Sequence, residues 1–417
     1  MKKVIIIGGG FAGIKLARAL RGSQFEIWLF DKNNYHQFQP LFYQVATCGL
    51  EPSSISFPLR KLFQKMNHFF IRNEEVIEID HSANAILTSA NRYNYDYLVI
   101  ATGCSTNFFG NAAVEQNAIP MKSVGEALFL RNHILTNFEK ALNSNDPNKQ
   151  MYLNVVIVGG GPTGVEVSGA LAEMRKYILP KDYPELDFSE MKIYLVEASE
   201  RTLGAMSTVS SQKSRDYLEK LGVKVLVSTQ VTNYDGEKVE FSNGESIITK
   251  TLVWAAGIKG NTIRGLNSEI ITRGNRLKVD RFNKVATYSN IYAIGDIACM
   301  STPNYPNGHP QVATVANEQG LWLAKNLNRL TKDEQLIEFE YKNKGSMATV
   351  GRHLAVVDLP KYSFQGFFAW LFWMFLHLML ILGVKNKFIV FINWMWKYIT
   401  FDQSLRLIIK PYNNSTK

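Results

Sequence analysis

Two short glycine-rich segments are the first places in this sequence where residue type and spacing can do chemistry. Gly8-Gly9-Gly10-Phe11-Ala12-Gly13 follows an apolar run at residues 4–7, and Gly159-Gly160-Gly161-Pro162-Thr163-Gly164 follows another at 154–158. In a G-x-G-x-x-G turn the first glycine permits the tight strand-to-helix turn, and the second lets a pyrophosphate approach the backbone. The third lets the helix pack on the strand, its N-terminal dipole toward the phosphates. An acid ending the next strand bonds a ribose hydroxyl pair. Gly8, Gly10, Gly13 and Asp31 fill these roles in the first segment, with Asp31 eighteen residues beyond Gly13. Gly159, Gly161, Gly164 and Glu197 fill them in the second, over a longer spacer. One such turn is weak evidence; two, each followed by a strand-terminal acid, are specific for two dinucleotides.

Two dinucleotides in one chain point to a flavin and a nicotinamide. A 2′-phosphate would meet the negative charge of Glu197, with Glu200 beside it, so the second turn favours NADH over NADPH; Arg201 is the one opposing feature. Gly295-Asp296, after an apolar run at 291–294, reads either as a turn with a solvated acid or as a carboxylate that holds a flavin ribityl hydroxyl or phosphate.

The elements that must position these groups repeat. A strand at 4–7, a helix and a strand at 25–30 form one unit; a strand at 154–158, a helix to 174 and a strand at 192–196 form a second. Polar, proline-containing stretches at 143–150 and 180–189 read as loops, and short strands follow at 223–227, 238–241 and 252–255. The end of the chain, 411–417, reads as a frayed polar tail.

Composition narrows the class. In 417 residues, 46% hydrophobic against 20% charged excludes a disordered chain. Cys48, Cys104 and Cys299 lie far apart without C-x-x-C spacing, which excludes a disulfide scaffold and argues against a metal site. The net charge of +10 is uneven: from Lys361 onward seven basic residues face Asp402 alone. These cations flank the most apolar part of the chain, which suits an anionic lipid surface and not nucleic acid. The apolar run behind Met1-Lys2-Lys3 is too short for a signal segment, so the expected location is the cytoplasmic side.

Further motifs carry a resemblance. They are Ala101-Thr102-Gly103, Ala255-Ala256-Gly257 and Gly295-Asp296, and more specifically Asn34-Tyr35-His36-Gln37-Phe38-Gln39-Pro40-Leu41-Phe42-Tyr43-Gln44-Val45-Ala46-Thr47, Lys344-Gly345-Ser346-Met347-Ala348-Thr349-Val350-Gly351-Arg352 and Ser404-Leu405-Arg406-Leu407-Ile408. Over nearly its whole length the chain resembles the type II NADH dehydrogenases, single-subunit NADH:quinone oxidoreductases of the two-dinucleotide-binding flavoprotein superfamily. The resemblance implies an α/β fold: two Rossmann-like dinucleotide-binding domains, for FAD and NADH, plus a C-terminal helical membrane anchor. The FAD domain would be discontinuous, residues 1–115 and 280–350, around an NADH domain at 116–279, with the anchoring region at 351–417. It implies FAD at Gly8, Gly10, Gly13, Asp31, His36, Gln44, Thr102, Gly103, Gly295 and Asp296, and NADH at Gly159, Gly161, Gly164, Glu197 and Gly257. The 40–47 segment would lie close to the flavin ring, although Phe38, Phe42 and Tyr43 taken alone read as core. Glu166, two residues past the second turn, would serve in positioning or a proton relay near flavin and nicotinamide; its simpler reading is an acid favoured by the helix dipole.

One stretch departs from the family. The family carries roughly A-Q-x-A-x-Q-Q-G beside the quinone pocket; here it reads Ala313-Thr314-Val315-Ala316-Asn317-Glu318-Gln319-Gly320. Thr314 and Glu318 stand where glutamines are expected, at positions implied to touch the quinone. An acid in an apolar, flavin-facing pocket would be kept protonated by desolvation and could donate a proton to a reduced quinone oxygen, which glutamine cannot do. The plainer reading of Glu318 is a solvated helix residue or a partner of a lysine.

Residues 366–384 run 19 positions without a formal charge, close to the roughly 20 that cross a bilayer. Trp370, Trp373, Trp394 and Trp396 read as interface residues, and Lys385, Lys387 and Lys397 as cations able to snorkel. With a second, shorter apolar run at 388–398, the pattern favours helices lying in one leaflet over a span, at the cytoplasmic face of the inner membrane. Pairing of two copies through this tail is compatible with it. The expected function is FAD-dependent oxidation of NADH with transfer of two electrons to a membrane quinone, without proton pumping. The alternatives are a flavoprotein reductase with another acceptor, the sulfide:quinone type included, and an NADH-binding regulatory flavoprotein with weak turnover.

Overall fold

The computed structural model describes residues 1–143, 149–402 and 405–409. Most of the expected loop at 143–150 and all of the polar tail at 411–417 fall outside the described residues, as do Ser404, Lys410 and Lys417. The chain divides into two compact units.

The first unit comprises Met1–Gln37, Phe57–Ser105 and Ile258–Asn343. Its centre is a five-stranded parallel sheet in the order Ile291–Ala293, Tyr97–Ile100, Lys2–Ile7, Phe25–Phe30, Phe69–Arg72. Ile5, Ile7, Leu98, Ile100 and Ile291 are buried in one apolar cluster, as near-continuous β-branched runs in a parallel sheet require. The helices Phe11–Ala19 and Ala313–Leu330 pack on one another; a Cβ on Gly320 would stand 2.6 Å from the Ala12 carbonyl oxygen.

The second unit comprises Phe38–Ser56, Thr106–Gly257 and Lys344–Lys417. Its parallel sheet repeats the design, in the order Ile119–Pro120, Thr251–Trp254, Val155–Val158, Ile193–Val196, Val223–Leu226. An antiparallel sheet of Ser346–Thr349, Ala355–Asp358 and Ser363–Gln365 precedes two helices, Phe367–Leu380 and Val384–Thr400.

These units do not follow the expected boundaries. Residues 38–56 join the second unit because the Phe42–Ala46 helix packs on the helices Val124–Asn143 and Pro162–Tyr177. Residues 258–279 join the first because Ile270 and Leu277 lie in its core. Residues 344–417 are continuous with the second unit: Ser346–Thr349 packs on Pro162–Tyr177, and Thr208–Lys220 on Ala355–Asp358. The charge-free run at 366–384 is no single helix. It breaks at Ile381, and Gly383 starts the next helix at φ +83°. Fourteen helical residues reach about 21 Å, short of a roughly 30 Å hydrocarbon core. Among the described residues no helix is long and apolar enough to cross a membrane.

Candidate functional site

The two glycine turns fold alike. Gly8 and Gly159 take φ +111° and +107°, and a Cβ on either would overlap the backbone at the end of a neighbouring strand, at Ala101 and Ala255. A Cβ on Gly13 or Gly164 would overlap the carbonyl of the first glycine of its own turn. Gly10 and Gly161 differ: a Cβ there would have no heavy atom within 4 Å. Each is the N-cap of its helix and supplies no side-chain cap. An open concavity at the N-terminus of a helix without a side-chain cap fits the pyrophosphate of a dinucleotide.

The two strand-end acids also behave alike. Asp31 Oδ2 accepts the Gly9 N–H at 2.6 Å, and Glu197 Oε2 accepts the Gly160 N–H at 2.5 Å. Burial pushes the Asp31 carboxyl up, against the N–H groups of Gly9 and Asn33, which pull it down. Arg201, the residue that could have welcomed a 2′-phosphate, bonds Thr208 Oγ1 and the Gly204 carbonyl, each at 3.0 Å.

In the first unit, Thr102 Oγ1 donates to the Asn261 carbonyl at 2.6 Å, and the Gly103 carbonyl accepts the Asn261 N–H at 3.1 Å. Gly295 donates its N–H to Gln319 Oε1 at 2.7 Å, and Asp296 Oδ2 accepts from the Cys104 thiol at 2.9 Å. His36 is buried, with Nδ1 3.2 Å from the Gly9 carbonyl; burial lowers its pKa to about 4, so the ring is neutral and Nδ1 carries the proton. In the second unit, the Gly257 carbonyl accepts the Asn107 N–H at 3.2 Å.

The second unit also holds an aromatic pocket walled by Tyr43, Trp370, Trp373, Trp394 and Tyr398, with Thr349 among its polar residues. Trp394 Nε1 donates to Gln44 Oε1 at 2.7 Å, Gln44 Nε2 donates to Tyr43 Oη at 2.9 Å, and Tyr43 Oη lies 3.2 Å from Thr349 Oγ1. Beside Thr349 sits Glu166, whose carboxylate oxygen is 3.5 Å from the Thr349 N. Burial pushes the Glu166 pKa up to about 8, against that N–H and the Trp373 indole. Burial also raises the Glu173 carboxyl and lowers the Lys397 ammonium, each opposed by the charge of the other.

Several expectations change here. Trp373 and Trp394 are buried in this pocket instead of facing lipid, and Lys397 lines the pocket with Glu173 as its electrostatic partner. Lys387 is bonded to the Met379 carbonyl at 2.6 Å, closing the end of the preceding helix. Gln44 is bonded to Tyr43 and Trp394. Glu318 is half-buried on the Ala313–Leu330 helix. One turn earlier, Thr314 Oγ1 lies 2.8 Å from Tyr341 Oη. Tyr43, Thr349, Glu173 and Lys397 were not singled out as site residues by sequence; only the motifs around Tyr43 and Thr349 marked their neighbourhoods.

The pyridine nucleotide-disulphide oxidoreductase family matches residues 2–320, and the NDH2 C-terminal domain matches 343–400. Two type II NADH:quinone oxidoreductases of Mycobacterium tuberculosis are 31% and 33% identical, over 95% and 94% of this chain and 88% and 86% of their own lengths. The structure of NDH2 from Plasmodium falciparum in complex with NADH superposes with a TM-score of 0.89 at 23% identity, covering 98% of this chain and all of that one. The sulfide:quinone oxidoreductase of Aquifex aeolicus gives 0.71 at 20% identity, over 99% of this chain and 96% of that one.

Proposed function

We propose, for a chain that belongs to the type II NADH:quinone oxidoreductase family, that the second glycine turn holds NADH, the first holds FAD, and the aromatic pocket receives the quinone. The enzyme oxidises NADH and reduces a quinone without pumping protons: NADH, one proton and the quinone become NAD⁺ and the quinol. Bound FAD supplies the two-electron relay between them. The protein orients both partners and excludes water.

The observation that carries the acceptor assignment is the pocket itself, aromatic walls around a few hydroxyl and amide donors, with a buried acid beside them. Gly10 and Asp31 take the FAD pyrophosphate and ribose; Gly161 and Glu197 take those of NADH. Glu166, largely protonated at neutral pH, is a proton reservoir beside the pocket, and Glu173, whose carboxyl burial also raises, lines it. Thr314 and Glu318, both half-buried on the Ala313–Leu330 helix, stay candidates for contact with the acceptor. The sulfide-oxidising alternative needs reactive thiols, and burial pushes the Cys48 thiol up to about 12.

The helices Phe367–Leu380 and Val384–Thr400 lie in one leaflet at the cytoplasmic face. Phe368, Phe375, Phe388, Trp396 and Ile399 point outward, and Lys385 is exposed beside them for anionic headgroups. Pairing of two copies through this face is the competing use of the same apolar surface.

Stopped-flow absorbance of the flavin tests the reading. NADH should bleach the flavin band and a short-chain quinone should restore it. Bleaching without recovery on any quinone would remove the acceptor assignment.

A further inference from the structure

Proton counting along the hydrogen-bonded chain of the pocket assigns a role to Trp394. An indole N–H can only donate, so the Gln44 carbonyl end must face Trp394, as it does at 2.7 Å. The Gln44 amine then faces Tyr43, and an amine can only donate, so Tyr43 Oη accepts at 2.9 Å. Tyr43 and Thr349 own two hydroxyl protons, and the 3.2 Å contact between them uses one. The second proton has no acceptor among the described residues, and both residues line the pocket. Burial raises the Tyr43 phenol above its ordinary range, so the count holds at working pH. With the Gln44 amide reversed and the Tyr43–Thr349 contact kept, Tyr43 would donate to Gln44, Thr349 would donate to Tyr43, and no proton would remain.

We propose that Trp394 is a positioning residue for quinone reduction: by fixing the Gln44 amide, it leaves one hydroxyl proton of the Tyr43–Thr349 pair to hydrogen-bond a carbonyl oxygen of the acceptor. This rests on the aromatic pocket being the acceptor site. The carbonyl gains charge as it is reduced, so the bond strengthens toward the transition state and acts on kcat as well as KM. Either hydroxyl can deliver the proton. Loss of one hydroxyl therefore leaves the other as donor, whereas loss of the indole lets Gln44 turn and removes the donor altogether.

The experiment is a set of full-length variants in detergent, with kcat/KM for a short-chain quinone normalised to the rate of flavin reduction by NADH. Trp394→Phe should lower it about tenfold, the scale of one hydrogen bond. Tyr43→Phe and Thr349→Val should each lower it about threefold or less, on the same scale. The Tyr43→Phe/Thr349→Val double variant should fall about tenfold, and Trp394→Phe should cost nothing further in it. Replacing Gln44 as well, in Trp394→Phe/Gln44→Met, should recover most of the Trp394→Phe loss, because a thioether takes no proton from Tyr43. A packing role predicts the opposite, added losses in both combinations, and would overturn the proposal. Should Trp394→Phe fail to fold, Gln44→Glu at about pH 9 offers Tyr43 an acceptor with Trp394 intact, and must show the same loss. If Tyr43→Phe/Thr349→Val keeps wild-type quinone kinetics, the pocket is not the acceptor site and the underlying reading fails, separately from the role of Trp394.

Discussion

Glu166 and Thr349 meet in the interior of the second unit, a buried carboxylate against a backbone N–H at 3.5 Å. That long contact and the Trp373 indole do not offset burial, and the pKa rises to about 8. A folded-state value above the unfolded one means that the fold favours the neutral acid. The stabilisation is complete below about pH 4.5 and is lost as pH rises through about 8. Across that window stability should fall by up to about 1.4 kcal/mol per pH unit from this group. In Glu166→Gln the slope should flatten. Thermal unfolding against pH measures it, and parallel curves for the two proteins would refute it.

The same acid should shape turnover. Quinone reduction by Glu166→Gln should lose its inflection near pH 8, whereas Glu318→Gln should keep it. A shifted profile in Glu318→Gln with none in Glu166→Gln would return the donor role to Glu318.

The glycines of the first turn separate folding from binding. Gly13→Ala drives a Cβ into the Gly8 carbonyl and should cost about 1–3 kcal/mol of stability, with FAD lost. Gly10→Ala meets nothing within 4 Å, so stability of the apoprotein should change by less than about 1 kcal/mol while FAD affinity collapses. Flavin retention on gel filtration, together with apoprotein melting, reads both. FAD bound normally by Gly10→Ala would remove Gly10 from the cradle.

At the second turn, Glu197→Ser takes away the carboxylate that a 2′-phosphate would meet. The ratio of kcat/KM for NADPH to that for NADH should rise on the order of tenfold. An unchanged ratio would mean that Glu197 does not face the adenosine ribose.

Arg131, on the Val124–Asn143 helix, is 1% exposed, and its three guanidinium nitrogens have no hydrogen-bond partner among the described residues. Leaving a buried polar group unpaired costs about 1–3 kcal/mol. Arg131→Met, of similar length, should therefore raise the unfolding temperature. A lower one would show that the guanidinium has a structural partner after all.

Legibility in the sequence followed chain distance. The glycine turns with Asp31 and Glu197 are local patterns, and the strands on either side are short apolar runs, so both sheets could be anticipated. The pocket could not. Tyr43 and Thr349 meet across 306 residues, and Gln44 and Trp394 across 350. Trp373 and Trp394 looked like lipid-facing residues because a tryptophan in an apolar run gives the same signal whether it faces lipid or a pocket wall. The break at Gly383 was hidden for a similar reason. One glycine in an apolar run is a weak stop, and what sets the second helix is the Asn386 amide bonding the carbonyls of Ser53, Ser54 and Ser56 at 3.0–3.2 Å, far away in sequence. Glu318 stands at a legible motif position, but position does not report exposure.

Both strand-end acids hold the N–H of the middle glycine, which ties each turn to the strand beside it. The turns are therefore rigid receptors, and binding need not order a loop. For FAD this favours tight residence. For NADH, which must enter and leave in every catalytic cycle, it means that exchange of spent for fresh nucleotide has no refolding step at the phosphates to slow it. Turnover is then free to be limited elsewhere, at the arrival of a lipophilic acceptor from the membrane or the departure of its reduced form.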